Sequence, residues 1–182
     1  AGRSQIRLAI SDGNQCLEKD FELVVRGRNI ARSGKIVSSV SETNFEVLDS
    51  CWLTNSRDWY ARSVEVINDG VLTGPNSVFC SLQAKSLEPR RDWFGYVWDT
   101  PQKFDKLAFR YGPLEAFGGW YSNMQVEIMD GEGNWTPVKA KVSPALPSSD
   151  LVFIQPHNAE FLFSFPAVDS RGVRIIGDDH VE

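Results

Sequence analysis

Two short segments of the sequence place aromatic rings directly beside hydrogen-bonding side chains. Residues 57–60 read Arg-Asp-Trp-Tyr, and residues 118–121 read Gly-Gly-Trp-Tyr. A sugar offers C–H groups on one face and hydroxyl groups around its rim, so an aromatic plate flanked by donors and acceptors suits it. A polar segment, His157-Asn158, and a strand-ending Arg110 can add hydrogen bonds. The candidate ligand residues are Arg57, Trp59, Tyr60, Arg110, Trp120, Tyr121, His157 and Asn158.

The same candidate residues also have a purely structural interpretation. Their rings can cap the ends of a sandwich as core, and the His157-Asn158 segment can be a solvated loop. Three other aromatic residues follow strand-like alternation and are predicted to be core, namely Trp93, Trp98 and Phe161.

Signatures of catalysis are missing from the sequence. It contains no Gly-x-Ser-x-Gly, no His-Glu-x-x-His and no glycine-rich phosphate loop. The 24 acidic residues include no recognisable acid–base pair, and a sequence alone cannot place two carboxylates on either side of a sugar bond. We therefore predict that the chain is not an enzyme. A small hydrolase or lyase is the alternative that the sequence supports least.

Composition and charge narrow the class of protein further. The 182 residues suffice for one domain with a buried core, and a net charge of −5 argues against nucleic acid or an anionic membrane as the partner. No apolar run approaches the length of a membrane span, so membrane insertion is not expected. The three cysteines, Cys16, Cys51 and Cys80, form no Cys-x-x-Cys pair, which disfavours a zinc site and leaves any disulfide pairing open.

Period-two alternation dominates the chain and predicts β-strands. It is clearest at 107–111, 124–129 and 161–165, and each run is followed by turn residues, as at Gly112-Pro113 and Phe165-Pro166. Many short strands at this spacing indicate an all-β antiparallel sandwich or barrel. We predict an antiparallel jelly-roll β-sandwich.

The N-terminal stretch is predicted to be a separate β-hairpin. Residues 5–11 and 18–26 read as two strands, and residues 27–31 lead into a new extended stretch at 34–40, which suggests a boundary near Gly27. We predict a hairpin over 1–28, belonging either to a preceding module or to the main sandwich, and a sandwich over 29–182.

Several motifs of residues 29–177 resemble the discoidin-like, or coagulation factor 5/8 type C, domain. The strongest are a strand followed by Asp130-Gly131 and then Trp135, and the late strand 171–176 that reads Arg-Gly-Val-Arg-Ile-Ile. That family is a galactose-binding-like jelly-roll sandwich and often serves as a carbohydrate-binding module. The hairpin resembles the end of an immunoglobulin-like or cadherin-like repeat. The family usually ends in a further strand carrying Glu, whereas this sequence ends at 177–182.

The resemblance implies a glycan ligand held by loops at one end of the sandwich, in an extracellular or cell-surface protein with neighbouring domains. It also implies a structural calcium ion in the loop that begins at Asn68-Asp69-Gly70, since calcium takes six to eight oxygen ligands. The alternative is a plain Asp-Gly turn without metal. Because no alternating strand follows Gly70, we predict a loop entry and not a tight hairpin. The candidate calcium ligands are Asn68, Asp69, Thr73 and Glu182.

These observations lead to a hypothesis of a non-catalytic carbohydrate-binding module. The main alternative is a β-sandwich that packs on a neighbouring domain and has no ligand of its own. The sequence Asn134-Trp135-Thr136 is an N-glycosylation sequon, but its position after Asp-Gly favours a structural meaning in a β-hairpin.

Overall fold

The computed structural model describes residues 2–11, 16–25, 28–43, 60–68, 78–79, 91–110, 121–146 and 160–179. The chain divides into two compact units, Ala1–Ile30 and Ala31–Glu182. No helix among the described residues has the length and apolar character that crossing a membrane requires.

The first unit is a β-hairpin. Strand β1 (Gly2–Ser11) pairs with β2 (Cys16–Val25) in an antiparallel register without interruption. The register sets Ile6 opposite Phe21, whereas the adjacent row sets Arg7 opposite Asp20. Apolar and charged residues therefore fall in neighbouring rows at this point of the hairpin.

The described strands of the second unit are β3 (Lys35–Ser38), β4 (Tyr60–Ala61), β5 (Val78–Phe79), β6 (Arg91–Arg110), β7 (Tyr121–Met129), β8 (Trp135–Val138), β9 (Lys141–Ser143) and β10 (Glu160–Asp179). Six of them form one sheet with the order β3-β6-β10-β7-β8, in which β9 also pairs with β10. All pairings of this sheet are antiparallel. Short 3₁₀ turns cover Ala31–Ser33 and Val64–Asn68.

The central pair of this sheet consists of its two longest strands, β6 and β10, of 20 residues each. Two irregularities interrupt their register, between Ser164 and Val168 and between Ser170 and Gly172. Pro166 lies within the first, where a missing N–H costs no ladder bond. The prediction that Phe165-Pro166 closes a strand is therefore wrong, because a bulge absorbs the proline and β10 continues.

One face of the sheet carries the hydrophobic core. Val126, Val173 and Ile175 come from adjacent strands and are 1%, 4% and 5% exposed. Further along, the Trp98 and Phe104 ring centroids are 5.6 Å apart. The predictions of Trp98 and Phe161 as core are confirmed, since both are buried. The prediction for Trp93 is wrong, because its indole is only half-buried.

A smaller layer packs on the face that carries Phe94 and Tyr96. Phe79 of β5 meets Phe94 edge to face at 5.6 Å, and the Tyr96 hydroxyl donates to the Ile67 carbonyl at 3.4 Å. Burial raises the pKa of Tyr96 to about 12. The only parallel pairing in the described part of the chain joins β4 and β5. The all-β antiparallel fold class is thus confirmed, and no α-helix occurs among the described residues.

Candidate functional site

The structure describes the side chain of one predicted ligand residue, Arg110. For Tyr60 and Tyr121 it describes the backbone, in β4 and at the start of β7. The remaining predicted ligand residues lie outside the described residues, namely Arg57, Trp59, Trp120, His157 and Asn158.

Arg110 and Tyr121 belong to opposite ends of the central ladder. Arg110 lies opposite Glu160 at one end, where β6 finishes and β10 begins. Tyr121 lies opposite Asp179, next to the Asp178–Arg91 row at the other end. The structure therefore does not bring these two predicted residues together. The Arg110 end is the one with which His157-Asn158 is contiguous in sequence, since Glu160 follows two residues later.

At this end Arg110 and Glu160 form an ion pair. The Arg110 Nη2 to Glu160 Oε2 distance is 3.0 Å, and the side chains are 34% and 32% exposed. The carboxylate accepts from one guanidinium nitrogen, Nη2, and a guanidinium has further N–H donors that a ligand can use. A planar donor beside a carboxylate acceptor suits a sugar, whose adjacent hydroxyl groups each donate and accept.

The predicted calcium ligands are mostly beyond the described residues. Asn68 ends the second 3₁₀ turn, and Asp69, Thr73 and Glu182 lie outside. The described ranges contain no group of three or more His, Cys, Asp or Glu side chains that could hold a metal ion. The calcium site stays a prediction.

The turn between β7 and β8 is held by one carboxylate. Asp130 Oδ1 accepts from the backbone N–H groups of Glu132 and Asn134 at 2.9 and 2.8 Å, and the Asn134 side-chain amide donates to Oδ2 at 3.3 Å. The bond from the Asn134 backbone N–H is the largest cause of a lowered pKa of Asp130. Gly133 has a φ of 91°, a region that favours glycine. Asn134 of the sequon is thus part of the turn.

A cluster that sequence reasoning missed lies on the sheet face opposite the core. The Arg174 Cζ atom is 4.8 Å from the centroid of the Trp93 ring and 4.7 Å from that of Trp135. The Arg174 Nη2 and Nε atoms approach Glu127 Oε2 at 2.6 and 2.7 Å. Gly95 lies opposite Arg174, where a Cβ atom would clash with the Arg174 Cβ and the Val173 carbonyl. The one available signal is an arginine within the apolar run 173–176.

This cluster is a structural clamp in the described geometry. Cation–π contacts and a partly buried ion pair join β6, β7, β8 and β10 across the sheet. With side-chain exposures of 16% and 13%, Arg174 and Glu127 are satisfied by each other and by the rings. Trp93 and Trp135 therefore serve to hold the sheet, and the sequence prediction for the Asp-Gly-to-Trp hairpin agrees with that structural role.

No family model matches the chain, and no curated protein matches it in sequence. Solved structures do match it in fold. CpGH89CBM32-5 from Clostridium perfringens, in complex with GalNAc-β-1,3-galactose, is 12% identical with a TM-score of 0.47, covering 81% of this chain and 86% of that one. Chitosan-binding module 1 of a chitosanase/glucanase from Paenibacillus sp. IK-5 is 15% identical with a TM-score of 0.49, covering 85% and 93%.

A third match is a structure of the Streptococcus pneumoniae β-galactosidase BgaA, 15% identical with a TM-score of 0.49, covering 80% of this chain and 83% of that one. Carbohydrate-binding modules are thus among the structures to which the chain is similar. Because every TM-score is below 0.5 and every identity is 15% or less, no ligand or residue role is transferred from them.

Proposed function

We propose that the second unit is a non-catalytic glycan-binding module of a secreted or cell-surface multidomain protein. The observation that carries the proposal is the Arg110–Glu160 pair at an end of the central ladder, partly exposed and contiguous in sequence with His157-Asn158. The all-β scaffold supports it, since such scaffolds usually keep their binding groups at the loop ends of strands. The motifs at 130–135 and 171–176, which resemble discoidin-like domains, support it as well.

The expected affinity is weak. A shallow site gains a few kcal/mol after desolvation and ordering costs, which corresponds to a Kd on the order of 0.1–1 mM for one sugar ligand. Ring stacking supplies most of that free energy, and hydrogen bonds from an oriented arginine set the sugar's orientation.

The experiment is a glycan panel with two matched arginine variants of the full chain. Arg110→Ala should weaken binding of the preferred neutral glycan about tenfold, because it removes charged hydrogen bonds to hydroxyl groups. Arg91→Ala is the control, since Arg91 also pairs with a carboxylate, Asp178, but at the opposite end of the ladder. If Arg91→Ala weakens binding and Arg110→Ala does not, the site belongs to the Tyr121 end.

A structural role without a ligand is the second candidate, and the first unit favours it. Two-stranded hairpins are marginally stable alone in water, so β1 and β2 call for a partner surface. Under this candidate, no glycan in the panel binds at millimolar concentration, whereas the chain associates with a neighbouring domain of its parent protein.

A further inference from the structure

The outer face of the β6–β10–β9 ladder carries two lysines that are far apart in sequence. Lys106 of β6 and Lys141 of β9 both lie opposite Ser164 of β10, one on each side. Directly opposed residues of antiparallel strands point to the same face, so the side chains of Lys106, Ser164 and Lys141 share one face of the sheet. With strands about 4.8 Å apart, the two lysine Cα atoms are separated by roughly 10 Å.

The burial pattern shows that this face points to solvent. In β10, Phe161 and Phe163 are buried at 0% and 3% exposure, whereas Leu162 between them is 36% exposed. Lys106 and Lys141 are exposed, and Ser164 is half-buried. Residues Lys106, Lys141, Ser164 and Leu162 are referred to below as the lysine face.

The charges of the lysine face are not neutralised locally. Neither ammonium group has a carboxylate partner within the described ranges of the chain. By contrast, Arg110, two same-face positions beyond Lys106 on β6, is paired with Glu160. Two cations that pair with no carboxylate of the described residues, on a chain with a net charge of −5, form a local positive patch.

We propose that the lysine face binds an anionic glycan, with one carboxylate or sulfate group held between Lys106 and Lys141 and hydrogen-bonded by the Ser164 hydroxyl. The exposed Leu162 lies one row away, where it can contact the C–H face of a sugar ring. The choice of a glycan rests on the proposed function, whereas the surface itself is separate from the Arg110–Glu160 pair. A bound chain that reaches both surfaces would carry its anionic group roughly 13 Å from Arg110, the length of four residues along β6.

The number and arrangement of charges favour this occupant over other anionic macromolecules. Binding to an anionic membrane typically uses a cluster of four to eight basic residues, and nucleic acid needs a basic stripe or face. Two lysines on either side of one serine match a single anionic substituent of a glycan.

The test measures binding of the full chain to polygalacturonate, chondroitin sulfate and polyglutamate, at low salt and at about 0.15 M salt. The double variant Lys106→Gln/Lys141→Gln should lose at least fivefold in affinity for the polymer that binds, and Ser164→Ala about twofold. The control Lys35→Gln/Lys103→Gln changes the net charge equally at exposed positions elsewhere and should bind like the parent chain. Unchanged melting temperatures of both double variants verify folding.

Each outcome has a defined meaning. Binding of polygalacturonate or of chondroitin sulfate that depends on Lys106 and Lys141 supports the proposal and identifies a carboxylate or a sulfate as the group held. Equal losses in the control variant, or equally tight and equally sensitive binding of polyglutamate, overturn it. If neutral glycans bind through Arg110 and neither anionic glycan binds, this inference fails alone. If no glycan of either kind binds, the proposed function fails with it.

Discussion

At the scale of single residues, Arg174 combines two cation–π contacts with an ion pair in the described sheet. Its guanidinium is placed between two indoles and beside Glu127, with little exposure to water. Arg174→Met should lower the free energy of unfolding by about 2 kcal/mol, less than the 3–5 kcal/mol of a fully buried pair because both side chains remain partly exposed. Urea unfolding monitored by tryptophan fluorescence measures the change.

Arg91 provides the matched control for this prediction. Its Nε atom lies 3.7 Å from Asp178 Oδ1, with side-chain exposures of 52% and 34%. Arg91→Met should cost less than about 0.5 kcal/mol, because exposed ion pairs contribute little. A cost for Arg174→Met no larger than that for Arg91→Met would contradict the assignment of the clamp.

Asp130 predicts a pH-dependent contribution of the β7–β8 turn. Its pKa is lowered in the folded chain, so its contribution to stability is complete above the ordinary carboxylate pKa of 3.8 and is lost as the pH falls through the lower folded pKa. Asp130→Asn should lower the melting temperature by a few degrees at neutral pH. The difference from the parent chain should shrink below about pH 4, which calorimetry across a pH series checks. A difference independent of pH would contradict the prediction.

Residue-scale features were only partly predictable from the sequence. Alternation identified Trp98 and Phe161 as core because a strand's inward positions repeat every second residue. The prediction of Trp93 as core was wrong. The sequence pattern does not show that Arg174, on a neighbouring strand, contacts the Trp93 ring on the face opposite the core. Lys106 and Lys141 were not recognised as neighbours, because only strand order and register bring β6 and β9 to opposite sides of Ser164.

At the scale of elements, Gly95 is the position where β6 tolerates no side chain. A Cβ atom there would clash with the Val173 carbonyl and with Arg174, which lies directly opposite. Gly95→Ala should cost about 3 kcal/mol of unfolding free energy, the upper part of the range for overpacking, because the clashing atoms include backbone. Denaturant unfolding of the variant measures this cost.

The control is Gly131→Ala in the β7–β8 turn, where a Cβ atom meets nothing within 4 Å. It should change stability by less than about 0.5 kcal/mol. Equal effects of the two substitutions would show that the close approach of β6 and β10 at Gly95 is not a constraint on the fold.

The elements were predicted better than their lengths. The alternating runs at 107–111, 124–129 and 161–165 all fall on strands, β6, β7 and β10, although β6 ends at Arg110. The extent of β10 was missed because Phe165-Pro166 was interpreted as the end of a strand, and Pro101 interrupts the alternation of β6 in the same way. Both prolines lie at irregularities of the register, where the strand continues without their N–H groups.

At the scale of the whole molecule, the second unit is predicted to be stable without the first. Removal of residues 1–30 should leave its melting temperature unchanged, because the buried apolar side chains among the described residues all come from Ala61 onward. Calorimetry of the shortened and full chains tests this. Loss of cooperative unfolding in the shortened chain would mean that the hairpin belongs to the main sandwich.

The shared partner of β3 and β10 determines how the second unit responds to tension. Both strands are antiparallel to β6, so they run in the same direction, and Lys35 is level with Val97 and Gly172. A pull applied between Lys35 and Asp179 therefore acts along the strands and not across them. The hydrogen bonds within the β3–β6 ladder then share the load, so this ladder resists by shear and does not open one bond at a time.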